Sequence, residues 1–415
     1  MTNNADRGTA SPLDPLNWGT KTVMLTGGIA VSLTLGPLFP VLPKIDAALA
    51  HNPGDHLLVK LLVTVVGVTM VIGAPLGGLL TDRLGARKVL LCSCLLLTLA
   101  GTAGLYLDSL PALIASRLFV GAAGSAIAAT TMTLINSRFD GHDRAKWMGA
   151  HVSLAALSGL ILQPVSGLLG EFGWRWPFAL YFLGLPLAAV ALFGLGNERP
   201  AHRLAGSAPS AQSLLTWFPT RFAVLAVCIG SVTYIPTVYL PFLMRQAGVS
   251  SPFLISLVGF ADSTVAAIMS MLYGKVHRIV SSHAAFAFSF FCTGTAMLIT
   301  AIVPGVVGVV VGMTVFGLGM GWFVPNLMTA AAKQVTLDQQ GRTVGLVKGS
   351  HYLAAPLCTI VVEPLSRQFG PESAMLAGGA LSFCVLAVFG YQIVLRRRVQ
   401  SVVITEPETP SLRWS

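Results

Sequence analysis

Twelve apolar runs, each about as long as a bilayer is thick, follow one another through a chain of 415 residues. They fall at about 22–42, 57–80, 88–107, 110–135, 146–169, 177–196, 221–243, 252–273, 283–303, 306–330, 343–364 and 373–395. About 20 consecutive apolar residues cross the hydrocarbon core as an α-helix, and a helix satisfies its own backbone N–H and C=O groups where no water can. Composition agrees: 54% of residues are hydrophobic and 10% charged, against about 25% charged in soluble domains. Mean hydropathy is +0.75. The fold expected is an all-α membrane protein of 12 transmembrane helices.

Charge sets the expected orientation. The formal net charge is +10, but the positives lie in short connections, so they report topology and no nucleic-acid partner is expected. With the N-terminus inside, nineteen of the 26 basic residues fall on the cytoplasmic side. Lys44, Lys60, Arg175, Arg245 and Arg367 fall on the outer side, and Arg117 and Lys348 lie within spans. That asymmetry is a positive-inside signal and makes both termini cytoplasmic, with Arg396-Arg397-Arg398 stopping the last helix. Residues 1–20 lack the order of a signal peptide, so the first run is expected to be retained. Trp174 and Trp176 are placed as interfacial anchors. The six cysteines are read as packing residues, with no metal or disulfide framework.

The chain divides in two. The connection 197–220, with Pro200, Gly206, Ser207, Pro209 and Ser210, is the longest. It separates a six-helix half at 22–196, after a tail at 1–21, from a second at 221–395, before a tail at 396–415. At an offset of 200, Gly149, His151, Ala155, Leu157, Pro164 and Ser166 fall on Gly349, His351, Ala355, Leu357, Pro364 and Ser366. Six matches at fixed spacing, a His and a Pro among them, mark duplicated halves. Such repeats with a central site are a transporter architecture.

Between the second and third runs lies Gly77-Gly78-Leu79-Leu80-Thr81-Asp82-Arg83-Leu84-Gly85-Ala86-Arg87-Lys88. Gly77 and Gly78 would let helices approach, Gly85 would permit a tight turn, and Asp82 can accept hydrogen bonds from a helix N-terminus or a basic chain. Arg83, Arg87 and Lys88 would hold the loop at the cytoplasmic face. The pattern G-x-x-x-D-R-x-G-x-R-K resembles the signature of the major facilitator superfamily of secondary transporters. A polar, positive-inside turn is the plainer alternative. A second copy near Tyr273-Gly274-Lys275-Val276-His277-Arg278 has lost its aspartate. In the fourth run, Arg117 with Gly121 and Gly124 resembles the superfamily's proton-coupling motif, with Val120 where Gln is usual; snorkelling to the interface is the alternative. The fifth run, with Gly159, Pro164 and Gly167, is similar to the drug:proton antiporter motif. Gln163 and Leu168 replace glycines. These small residues would let the fifth helix pack on the other half.

Charges within spans cost about 2.5–3.5 kcal/mol each on insertion scales and so are candidates for function. Asp262, near the middle of the eighth run, is read as the only deep acid and as a proton carrier, with Lys348 its cationic neighbour and His351 an alternative. His151 is the repeat mate of His351; both could titrate or serve as buried structural histidines. Tyr234, Tyr239, Trp322, Asn326 and Arg117 are candidate substrate contacts, with packing as the alternative for each. The resemblance implies alternating access between two pseudo-symmetric halves and proton-coupled export of a small organic or amphipathic compound. Proton-coupled uptake of an organic anion is the second possibility. The expected partners are a small-molecule substrate, protons and the lipid bilayer of a bacterial inner membrane, with no cofactor and a functional monomer. No HExxH, GxSxG or phosphate loop occurs, so no enzyme is expected. Connections under about 25 residues, shorter than any domain, leave no room for an ATP-driven motor.

Overall fold

The computed structural model describes residues 18–139, 141–196, 220–277, 279–332 and 340–405. Among the described residues, twelve helices are long and apolar enough to cross a membrane. They are α1 (Trp18–Leu49), α2 (Asp55–Leu84), α3 (Ala86–Leu105), α4 (Leu110–Arg138), α5 (Lys146–Phe172), α6 (Trp176–Gly194), α7 (Phe222–Gln246), α8 (Pro252–Val276), α9 (Ser282–Ile302), α10 (Gly305–Ala331), α11 (Gly345–Phe369) and α12 (Pro371–Tyr391). All described regular structure is helical. The boundaries match the apolar runs to within a few residues, with two instructive differences. α1 continues through a 3-10 turn at Phe39–Val41 to Leu49, where prolines fit because first-turn N–H groups lack helical partners anyway. The last helix runs on to Thr405, so Arg396-Arg397-Arg398 fall inside it. The linker residues Pro200, Gly206, Ser207, Pro209 and Ser210, and Arg278, lie outside the described residues.

Packing repeats between the halves. α1 packs on α4, α5 and α6, and α7 packs on α10, α11 and α12. α2 meets α4 as α8 meets α10, and α3 meets α4 and α6 as α9 meets α10 and α12. Each half has its own apolar core, around Met24, Leu97, Val120 and Tyr181 in the first and Ile229, Phe290 and Phe323 in the second. Phe193, Phe291 and Val361 point outward, as side chains facing lipid do. The repeat found at offset 200 has a structural counterpart. His151 Nδ1 lies 2.8 Å from the Met24 carbonyl of α1, and His351 faces the Ala226 carbonyl of α7. A Cβ on Gly28 would come within 2.7 Å of the His151 carbonyl, and one on Gly230 within 2.5 Å of the His351 carbonyl. Only glycine permits these two approaches.

The halves meet along two seams, α5 on α8 and α2 on α11. The α5–α8 seam is tight at the face away from the termini, here the distal face. There α5 lies against α8 at Gly167, where a Cβ would collide with Ser256, and at Gly170, against Pro252. Nearer mid-helix, α2 lies against α11 at Gly67, whose Cβ would collide with the Tyr352 carbonyl. Toward the termini, Val152 and Leu157 of α5 and Ile268 and Met271 of α8 are exposed. These two helices are the least enclosed of the twelve, with 22% of each apolar window buried.

Candidate functional site

A group of hydrogen bonds joins the halves at the distal face. Lys60 of α2 donates to Glu363 of α11 across 2.5 Å. Both side chains are buried, 8% and 2% exposed. Glu363 also accepts from Tyr239 of α7 at 3.1 Å and from Arg367 Nε, one turn further along α11, at 3.1 Å. Lys60 Nζ is flanked by the rings of Tyr239 and Phe242, at 4.8 and 5.1 Å. Nearby, Arg245 donates to the Pro43 carbonyl at 3.0 Å. Glu171 at the end of α5 accepts from Ser251 and from the Phe253 backbone. A buried ion pair holds only when further hydrogen bonds satisfy it, and here the carboxylate has three donors. The distal face is therefore latched.

Glu363 corrects the expectation that Asp262 is the only deep acid. Glu363 lies at the edge of the eleventh run, where hydropathy suggests an interfacial residue, but packing of α2 against α11 encloses it. Lys60, expected at the outer surface, is enclosed with it. One signal was available. Glu363 precedes Pro364 as Gln163 precedes Pro164, and Gln163 faces Gly259 of α8 across the other seam. The position before the repeated proline points across the half boundary in both copies.

Asp262 stands apart. One carboxylate oxygen is buried without a hydrogen-bond partner, and it faces Gly317 of α10. The expected pair with Lys348 does not form. Lys348 is exposed, its Nζ lies 5.9 Å from the Tyr352 ring centroid, and α8 and α11 lie on different seams. His351 sits beside Tyr234, ring centroids 5.5 Å apart, and its Nδ1 has no partner. Lys348, His351, Tyr234 and Tyr352 thus form a group on the second half, while His151 turns to α1 within its own half.

Other candidates sit within the halves. Arg117, 1% exposed, turns away from the half boundary. Its Nη2 donates to the Ala100 and Gly101 carbonyls at 2.9 Å each, and its guanidinium lies over the Phe178 and Tyr181 rings. It caps the C-terminal end of α3, where unpaired carbonyls and the helix dipole favour a cation; neither a cavity position nor snorkelling describes it. Asn326 accepts from Tyr273 at 2.9 Å and Ser282 at 2.7 Å, and Trp322 Nε1 donates to the Met269 carbonyl. Both tie α8, α9 and α10 together and leave no free polar group for a substrate. Tyr239 belongs to the distal latch.

In the loop after α2, Gly85 has φ +85°, a region where glycine is the default residue. Gly77 packs on Ala126 of α4, whereas Gly78 has open space around it and brings no helix close. Asp82, Arg83 and Lys88 are exposed, and Arg87 is partly so. In α5, Gly167 meets the other half, but Gly159 faces Ser32 of α1 in its own half. Pro164 lies within the continuous helix.

Comparison with known proteins agrees with this architecture. The family model described as Major Facilitator Superfamily matches residues 24–357. The chain is 32% identical over 167 residues to the bacillibactin exporter of Bacillus subtilis, a match spanning 38% of this chain and 41% of that one. It is 24% identical over 369 residues to the hexuronate transporter of Bacillus subtilis, spanning 81% and 85%. The solved nucleoside transporter NupG superposes with a TM-score of 0.75 at 13% identity, covering 90% of this chain and 99% of that one. With twelve membrane-spanning helices, two halves repeating one packing pattern and a family match over most of its length, the chain belongs to the major facilitator superfamily and is a transporter of that family.

Proposed function

We propose that the protein exports a small organic or amphipathic compound in exchange for protons, by alternating access, as a monomer in a bacterial inner membrane with both termini cytoplasmic. The observation that carries proton coupling is Asp262. It is a carboxylate well inside a span, with one buried oxygen unpaired, and an unpaired buried acid is costly unless it exchanges protons. Export is supported by the α5 motif and by the match to the bacillibactin exporter. The latched distal face and less enclosed terminal face would then be the form that loads substrate from the cytoplasm. Lys348, His351, His151 and Tyr234 are the groups proposed to meet substrate. Asp82, Arg83, Gly85, Arg87 and Lys88 are proposed to hold the opposite form, in which the terminal face closes.

A second reading, proton-coupled uptake of an organic anion, is favoured by one observation: Lys348 is an exposed in-span cation with no ion-pair partner among the described residues. The longer match to the hexuronate transporter points the same way. Inside-out vesicles separate the two readings. With the lumen acidified, an exporter accumulates substrate, whereas a symporter loses preloaded substrate. Asp262→Asn is expected to abolish the response to the pH gradient while retaining substrate binding. Uphill transport with unchanged pH dependence in that variant refutes the coupling role.

A further inference from the structure

The distal face carries a feature apart from the central group at Lys348 and His351. Between the halves, just outside the Lys60–Glu363 pair, lies a cleft of about 500 Å³. Lys60, Arg245 and Arg367 line it, with Glu363, Asp46 and His56. Asp46 is engaged by His56 Nδ1 at 2.7 Å, and Glu363 is shared by Lys60, Arg367 and Tyr239. The cleft is therefore cationic on balance. Its donors are also under-used. A guanidinium has five N–H groups, yet among the described residues Arg367 donates through Nε alone and Arg245 through Nη1 alone. Phe242 adds an apolar wall.

We propose that this cleft is a second binding site, for a small organic carboxylate whose charged group takes the place of Glu363 on Lys60 and Arg367. The planar fork of Arg367 suits bidentate capture of a carboxylate, and the Phe242 side accepts the apolar body of the ligand. Lys60 Nζ already lies 2.5 Å from Glu363, so ligand and latch compete for the same ammonium. Occupancy and distal closure then exclude one another. By linkage, a ligand that binds the unlatched form better shifts the halves toward it by its differential affinity. An anion arriving at the distal face would thereby open it.

The test uses the full-length protein in detergent micelles, where no gradient exists, so the result is independent of proton coupling and transport direction. Binding of 2-naphthoate is measured by calorimetry, with 2-naphthamide as the uncharged probe and inorganic phosphate as a competitor. Naphthoate is expected to bind at least about tenfold more tightly than naphthamide, and phosphate in tenfold excess is expected not to displace it. Arg245→Gln with Arg367→Gln is expected to weaken naphthoate at least about tenfold, one tenfold step being a modest loss for charged bidentate contacts. Lys146→Gln, at the opposite face, is expected to leave it unchanged. Glu363→Gln removes the competing carboxylate and is expected to tighten naphthoate severalfold. Equal binding of acid and amide, displacement by phosphate, or weaker binding in Glu363→Gln overturns the proposal. So does loss of binding in Lys348→Met with the double arginine variant unaffected, because the probe then sits in the central route.

Discussion

Replacing Glu363 by Gln strips Lys60 of its counterion while leaving the ammonium buried. The Tyr239 and Phe242 ring faces and a neutral amide oxygen at position 363 then remain to it. Removing one partner of a buried pair costs about 3–5 kcal/mol. That cost falls on the form in which Lys60 is enclosed, since once the halves part water can reach the ammonium. At about 1.4 kcal/mol per tenfold, the lower bound shifts the equilibrium about 100-fold toward distal opening. Lys60→Met is milder, because Glu363 keeps Arg367 and Tyr239. Losing one charged hydrogen bond costs about 1.5–3 kcal/mol, a shift of about 10- to 100-fold. The double variant removes both charges and is expected to lie nearer the native protein than Glu363→Gln does. Spin labels on cysteines introduced at Asn52 and Ser250, exposed residues of opposite halves, would read the distal separation by pulsed electron resonance. Cys92 and Cys384, the exposed native thiols, are first replaced by Ser. Native distances in Glu363→Gln, or a double variant as open as Glu363→Gln, would refute the reasoning.

Three further outcomes follow from the geometry. Arg117→Ala removes two hydrogen bonds to the α3 carbonyls and is expected to lower thermal stability in detergent by several degrees, a loss of about 2–4 kcal/mol; an unchanged melting temperature with lost pH-gradient response would return Arg117 to the coupling machinery. Gly67→Leu drives a side chain into the Tyr352 carbonyl and is expected to part α2 from α11, seen as a longer Asn52–Ser250 distance at normal expression. Asp82→Asn is expected to leave insertion intact and slow transport severalfold, through loss of a contact made when the terminal face closes; full transport at normal expression would mark Asp82 as a surface residue.

Much of the architecture was legible before any coordinates. The twelve spans follow from hydropathy, because lipid forces each crossing segment to be a continuous apolar helix. The repeat at offset 200 carried real geometry, since His151 and His351 turn to backbone carbonyls of α1 and α7 alike. The turn at Gly85 was readable from its glycine. What the chain could not disclose was helix rotation and the choice of partner across the seams, which packing against neighbours decides. Arg117 reads as a coupling residue by its resemblance to the family's helix-4 motif, yet its helix presents it to the α3 terminus. Trp322 and Asn326 read as a polar face, yet α8 and α9 use that face up. Asp262 and Lys348 share a half without meeting, because α8 turns to α10 and α5 while α11 turns to α7 and α2. The Lys60–Glu363 latch joins residues 303 positions apart. Hydropathy placed each at a helix end, and only the docking of two separately cored halves buries them together.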